Sequence, residues 1–129
     1  MSTELERRSA REVLEDHLAL REKGDLDLDI ERNYHREVVV LTPLGTHHGW
    51  GGVRECAQTL YEAIKDASTY EYDSVVCDER GALLEWSSES DGMSITDGVD
   101  SFLIEDGLIC VQTIRYTVVF KDLSQAFNA

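Results

Sequence analysis

The chain reads as an α+β fold in which a cone-shaped, curved antiparallel β-sheet wraps around N-terminal helices. Three observations predict it. Apolar residues recur at helical spacing in the first half. Four runs of alternating apolar and polar residues fill the second half, separated by turn residues. Helices come first and strands after, an order that suggests layered α+β architecture rather than alternating units.

Each element has a local reason. Thr3 to Lys23 is predicted helical, with Ala10, Val13, Leu14, His17 and Leu18 on one face and a capping box from Thr3 to Glu6. Gly24 stops it, and Asp25 or Asp27 caps a short helix through Ile30 to about Tyr34. Glu37 to Leu41 is a strand, ended by Thr42-Pro43-Leu44-Gly45; Gly49 to Gly52 is expected to turn. Val53, Cys56, Ala57, Leu60, Tyr61 and Ile64 form one stripe of a helix over Val53 to Lys65. Strands follow at about 69–78, 82–90, 93–105 and 108–120, with turns at Glu79-Arg80-Gly81, Asp91-Gly92 and Asp106-Gly107. The tail after Lys121 is expected to fray or pack at an edge.

The 129 residues suffice for one domain with a real core, and no linker, repeat or low-complexity segment divides them. A net charge of −14 argues against nucleic acid and anionic membranes, which need a basic face. Asp66 to Asp106 holds twelve acids and one base, Arg80, a stretch that repels anionic substrates at long range unless a local Arg overrides the field. The first residues lack the apolar stretch of a signal peptide, and no run approaches the ~20 residues of a membrane span. Cys56, Cys77 and Cys110 are odd in number and scattered, as expected of reduced thiols in a cytoplasmic protein.

Asp100 carries the chemical signal. Alternation through Thr96 to Ile104 sets it on the side of Phe102 and Ile104. A carboxyl among such neighbours must be paired, hydrogen-bonded or protonated, and all three states serve active sites.

Three stretches resemble the ketosteroid isomerases. They are the strand and loop from Tyr34 through Thr42-Pro43 to Gly45, the late hairpin Val99-Asp100-Ser101-Phe102-Leu103-Ile104 with Asp106-Gly107, and the break Gly24-Asp25-Leu26-Asp27. Their order and spacing resemble the wider superfamily of nuclear transport factor 2-like and SnoaL-like domains. The resemblance implies a cystatin-like α+β barrel, and a fold that hosts isomerases, dehydratases, hydrolases, cyclases and binding modules. By resemblance, Asp100 matches a protonated Asp that donates to an enolate oxygen, and His17 stands where a Tyr is the second donor. The resemblance fails at the general base, because Thr42 replaces the Asp before the proline, and a hydroxyl is a poor base near neutrality. A His17–Asp100 pair is the expected substitute acid–base group; a satisfied core histidine is the plain alternative.

The remaining candidates are walls. Alternation sets Cys110, Gln112, Ile114, Tyr116 and Val118 on one face; the resemblance implies that it is concave, with Trp86, Phe102 and Tyr116 as an apolar floor and Gln112 and Tyr116 offering neutral hydrogen bonds. Tyr34 and Trp50 cover the mouth, beside Thr42. All of these also suit an aromatic core. His47 and His48 point apart on an extended chain and His35 is distant, so no metal site is expected. No phosphate loop, dinucleotide fingerprint or nucleophile elbow appears, so no cofactor is expected. The outer face, with Val99, Ser101, Leu103, Val111, Thr113 and Arg115, is half apolar and predicts a homodimer. Arg115 pairs there with Glu85.

The function expected is an isomerase, dehydratase or cyclase acting on an uncharged, hydrophobic, ring-bearing small molecule. Two alternatives stand beside it: a non-catalytic module for a hydrophobic ligand, and a structural dimer whose cone is filled by its own side chains.

Overall fold

A computed structural model describes residues 3–64 and 67–121. The elements run α1 (Thr3–Glu6), α2 (Ala10–Lys23), α3 (Leu26–Asn33), β1 (Tyr34–Thr42), β2 (Gly45–His48), α4 (Gly49–Ile64), β3 (Ala67–Cys77), β4 (Gly81–Ser90), β5 (Met93–Glu105), β6 (Leu108–Arg115) and β7 (Val119–Phe120). The predicted first helix is therefore two. The capping box sits at the second start: the Ser9 hydroxyl accepts from the Glu12 amide, and the Glu12 carboxylate accepts from the Ser9 amide. The box expected at Thr3 falls on a side chain outside those described. Gly24 ends α2 at φ 76°, and Asp25 caps α3.

The sheet order is β2-β1-β6-β5-β4-β3, with β7 paired to β5. Strands β3 to β6 form the expected antiparallel meander. The sheet as a whole is mixed, because β1 lies parallel to β6, Val40 opposite Gln112. The all-antiparallel expectation fails there: β1 and β6 are joined through β2, α4 and strands β3 to β5, a connection long enough for parallel pairing. Gly49 to Gly52, expected as a turn, is the first turn of α4. Two of its glycines are needed there: Gly49 has φ 68°, and a Cβ on Gly52 would press on His47. The predicted strand 108–120 breaks after Arg115, and β7 returns to pair with Met93 and Ser94.

Register shifts interrupt the β1–β6, β3–β4, β4–β5 and β5–β6 ladders. Such irregularities bend and twist strands, which curls this open sheet around α2 and α4. One shift skips Cys110, so Ile109 is fully buried and Cys110 does not share the Gln112 face as expected.

The inner face of the sheet and helix α2 close on Val13, Leu14, Ile30, Val38, Trp86, Ile95 and Ile109. Trp86 lies flat over Gly98, where a Cβ would run into the indole ring. Burying an aromatic of about 150–250 Å² contributes about 4–6 kcal/mol at about 25 cal/mol/Å². Arg8 ties the far end together. Its guanidinium donates to Asn33 Oδ1, Arg32 O and Gly107 O, each at 2.8 Å. The three cysteines are free. Among the described residues, no helix is long and apolar enough to cross a membrane, and no group of three or more His, Cys, Asp or Glu could hold a metal ion.

Candidate functional site

Between α2, α4 and the concave face lies a cavity of about 690 Å³. The cone is therefore not filled by its own side chains. The whole predicted α4 stripe, Val53, Cys56, Ala57, Leu60, Tyr61 and Ile64, faces this space rather than solid core. Tyr34, Asp100, Gln112 and His17 line it, as the sequence predicts. Among its liners, Glu22, Gly24, Gln58 and Tyr61 are also exposed, which marks where the cavity meets solvent.

Asp100 is 8% exposed and sits on β5 between the neighbours that satisfy it. Trp86 Nε1 on β4 donates to Oδ1 and Gln112 Nε2 on β6 donates to Oδ2, both at 2.9 Å. Tyr34 in turn donates its hydroxyl proton to Gln112 Oε1. Register produces this line: Asp100 lies opposite Leu84 on β4 and Ile114 on β6, so Trp86 and Gln112 are its diagonal neighbours on the same face. Burial pushes the Asp100 pKa upward. The Trp86 and Gln112 hydrogen bonds and the His17 and Arg21 charges offset only part of that rise.

His17 does not pair with Asp100. Its Nδ1 lies 3.0 and 2.9 Å from the two oxygens of Asp29 on α3. Asp29 is fully buried and also accepts from Arg21 Nε at 2.6 Å and Asn33 Nδ2 at 2.9 Å. Burial alone would raise its pKa, yet the His17 and Arg21 charges and these hydrogen bonds hold it below the usual range. The tautomer that donates Nδ1–H to Asp29 leaves Nε2 as the remaining polar atom of a ring that lines the cavity. The ring is wedged edge-on between Tyr34 and Phe102, with centroids 5.8 and 5.6 Å away. Helix α3 wins this histidine because α2 and α3 pack together through the short Gly24-Asp25 break, which brings residue 29 beside residue 17.

The other candidates take supporting places. Trp86, Phe102 and Tyr116 stand outside the lining, with Tyr116 tilted against Trp86 at 5.5 Å and Tyr70 stacked on Trp86 at 5.1 Å. Trp50 lies behind Tyr34, donating Nε1–H to its carbonyl at 3.0 Å while Arg36 covers its ring. It is not a lid contact. Thr42 is also away from the cavity, at the end of β1; its Oγ1 accepts from the Leu44 amide and lies 3.4 Å from His47 Nε2. Among the described residues Arg115 and Glu85 make no salt bridge; they flank Val99 from β6 and β4.

Sequence reasoning missed Asp29, Arg21, Tyr70 and Tyr72. Tyr70 and Tyr72 line the cavity from β3, and burial raises both hydroxyls, Tyr72 to about 12. They stay neutral donors at physiological pH. Alternation in Tyr70-Glu71-Tyr72 marks this pair, and the i, i+4 spacing of His17 and Arg21 marks Arg21.

A SnoaL-like domain family matches residues 14–112. The chain belongs to that family. No curated protein matches it. Among solved structures, a steroid delta-isomerase from Pseudomonas aeruginosa is similar, with TM-score 0.68 and 20% identity over 84% of this chain and 79% of that one. A candidate polyketide cyclase from Sinorhizobium meliloti is similar too, with TM-score 0.64 and 22% identity over 80% of this chain and 93% of that one. So is a protein of unknown function with a cystatin-like fold from Methylobium petroleophilum, with TM-score 0.63 and 15% identity over 92% and 88%. At these identities the likenesses establish the fold. This SnoaL-like chain therefore has the cystatin-like, nuclear transport factor 2-like architecture.

Proposed function

We propose that this SnoaL-like protein is a proton-transfer enzyme, an isomerase, dehydratase or cyclase, acting on a hydrophobic ring-bearing small molecule. One observation carries the reading: one cavity is lined by His17 on α2, oriented by ionised Asp29, and by Asp100 on β5, whose environment favours its neutral form. Two carboxyls pushed in opposite directions beside one cavity supply both halves of acid–base chemistry.

His17 Nε2 takes a proton from a carbon next to a substrate carbonyl. Charge develops on the carbonyl oxygen, and Asp100, protonated, donates a hydrogen bond to it while still accepting from Trp86 and Gln112. The His17 proton then returns at another carbon, or assists loss of a hydroxyl. Asp29 stabilises the imidazolium formed midway. Thr42 has no part, because it lies outside the cavity.

Deuterium uptake from D2O into cyclic ketones and cyclic 1,3-diketones, followed by NMR, tests this. Wild-type protein is expected to accelerate exchange, and His17→Gln to lose about 10²-fold or more. Ligand binding without exchange in any ketone would instead support the non-catalytic ligand-binding reading, which the Thr42 substitution favours.

The outer sheet face supports a homodimer. Leu41, Leu83 and Val76 are exposed and fall in one cross-strand row with Thr113 and Ser101. Sedimentation at micromolar concentration is expected to give twice the chain mass, with Leu83→Lys giving the monomer.

A further inference from the structure

The cavity wall contains a cation that the proposed proton transfer does not use. Arg21 lies one turn beyond His17 on α2 and lines the same space. Its Nε donates to Asp29, and Asp29 is itself held by His17 and Asn33. The guanidinium plane is thus fixed from behind. Beyond Asp29, the Tyr34 hydroxyl also bonds the guanidinium, whose side chain is only 26% exposed. Five N–H donors sit on a guanidinium, and Asp29 and Tyr34 take two of them. Leaving the rest beside apolar walls such as Leu18, Leu60 and Ile64 is costly unless an acceptor arrives.

The charge also projects inward. Arg21 acts on Tyr34, Cys56, Tyr70, Tyr72 and Asp100, all but one of which donate or accept hydrogen bonds through oxygen. Asp29 balances Arg21, and Asp100 favours its neutral form, so one added negative charge does not overfill the site.

We infer that the cavity takes a ring-bearing ligand with one carboxylate, or an equivalent planar anion, seated on the Nη donors of Arg21 that Tyr34 does not take. This rests on the cavity being the ligand site. It narrows the uncharged substrate expected from the sequence: the ring end is uncharged and the acid end meets Arg21. A flat, forked donor matches a two-oxygen anion in a way that a lysine cannot. The surface charge of −14 opposes entry but does not cancel binding, because exposed charges are screened beyond about 8 Å at physiological salt and Arg21 acts in contact. A distinctive kinetic consequence follows: association of the anion speeds up as salt rises, whereas attraction to Arg21 alone would make it slow down.

Calorimetric titration with 2-naphthoate and its neutral isostere 2-naphthamide tests the assignment. The acid is expected to bind at least tenfold tighter. Arg21→Gln is expected to remove that preference, with a wild-type circular dichroism spectrum showing that the variant is folded. Arg21→Lys is expected to keep only part of the preference. Equal affinity for acid and amide in the wild type, or a preference that survives Arg21→Gln, overturns the inference alone. Failure of both probes to bind overturns the ligand-site reading and the inference with it.

Discussion

The helical side and the sheet side of the cavity each bury one aspartate, and the two behave in opposite ways. Asp29 is fully buried and Asp100 nearly so, so burial does not separate them. Partners do. Asp29 faces Arg21 and His17 and is held ionised, while Asp100 meets only the neutral donors of Trp86 and Gln112 and is pushed toward its protonated form. A carboxyl in a protein interior is an anion or an acid according to whether a cation stands within contact, since neutral N–H groups alone do not repay its desolvation.

Substitutions can break this contrast. Asp29→Asn removes the anion that Arg21 and His17 share and is expected to cost about 3–5 kcal/mol in urea unfolding. Gly98→Ala attacks the sheet side through Trp86, because the new Cβ collides with a rigid ring; a loss of about 3 kcal/mol is expected, with weakened near-UV circular dichroism. Trp86→Phe leaves Asp100 Oδ1 without its donor and is expected to cost about 1–3 kcal/mol.

Asp100→Asn sharpens the contrast, since its effect is small and of the other sign. Gln112 can rotate its amide so that Oε1 accepts from the new Asn and Nε2 donates to the Tyr34 oxygen, which leaves the Tyr34 hydroxyl proton alone to find a new acceptor in the cavity it lines. A stability change within about 1 kcal/mol is expected, in favour of the variant at pH 7. The pH courses diverge as well. A carboxyl raised in the native state stabilises it below the unfolded pKa of about 4, and that contribution is lost as pH rises toward the native value. The advantage of Asp100→Asn therefore grows from about pH 4 upward. Asp29 is depressed, so its contribution is present above about pH 4 and is lost as pH falls; the cost of Asp29→Asn fades in acid. Urea midpoints at pH 3, 5 and 7 separate the two courses.

Much of the sheet side was legible in the sequence, and little of the helical side. Period-2 alternation fixes which residues share a face within each strand, and the family resemblance turns the faces of Asp100, Trp86 and Gln112 to one concave side. Bulges are where that logic failed, and Cys110 fell on one. The helical site depends on how two helices cross. Asp25, Asp27 and Asp29 look alike as a run of acids, and only packing selects the last for burial while Asp25 caps the helix. His17 was therefore assigned the wrong carboxylate, although its buried face was right. The fold class was readable because hairpin turns and helix breaks are local, whereas the parallel β1–β6 pairing joins segments some seventy residues apart and leaves no local mark.

That pairing also bears on how the chain is born. Strands β3 to β6 can assemble by successive hairpins, but β1 and β2 join the sheet only through β6. During synthesis α2, α3 and β1 leave the ribosome first, carrying Leu14, Ile30 and Val38, and the strand that β1 must meet is not made until about residue 112. At about 5–20 residues per second the helical half waits several seconds with its apolar stripe uncovered. The strongest demand for chaperone protection in this protein therefore falls on its first third, while translation is still under way.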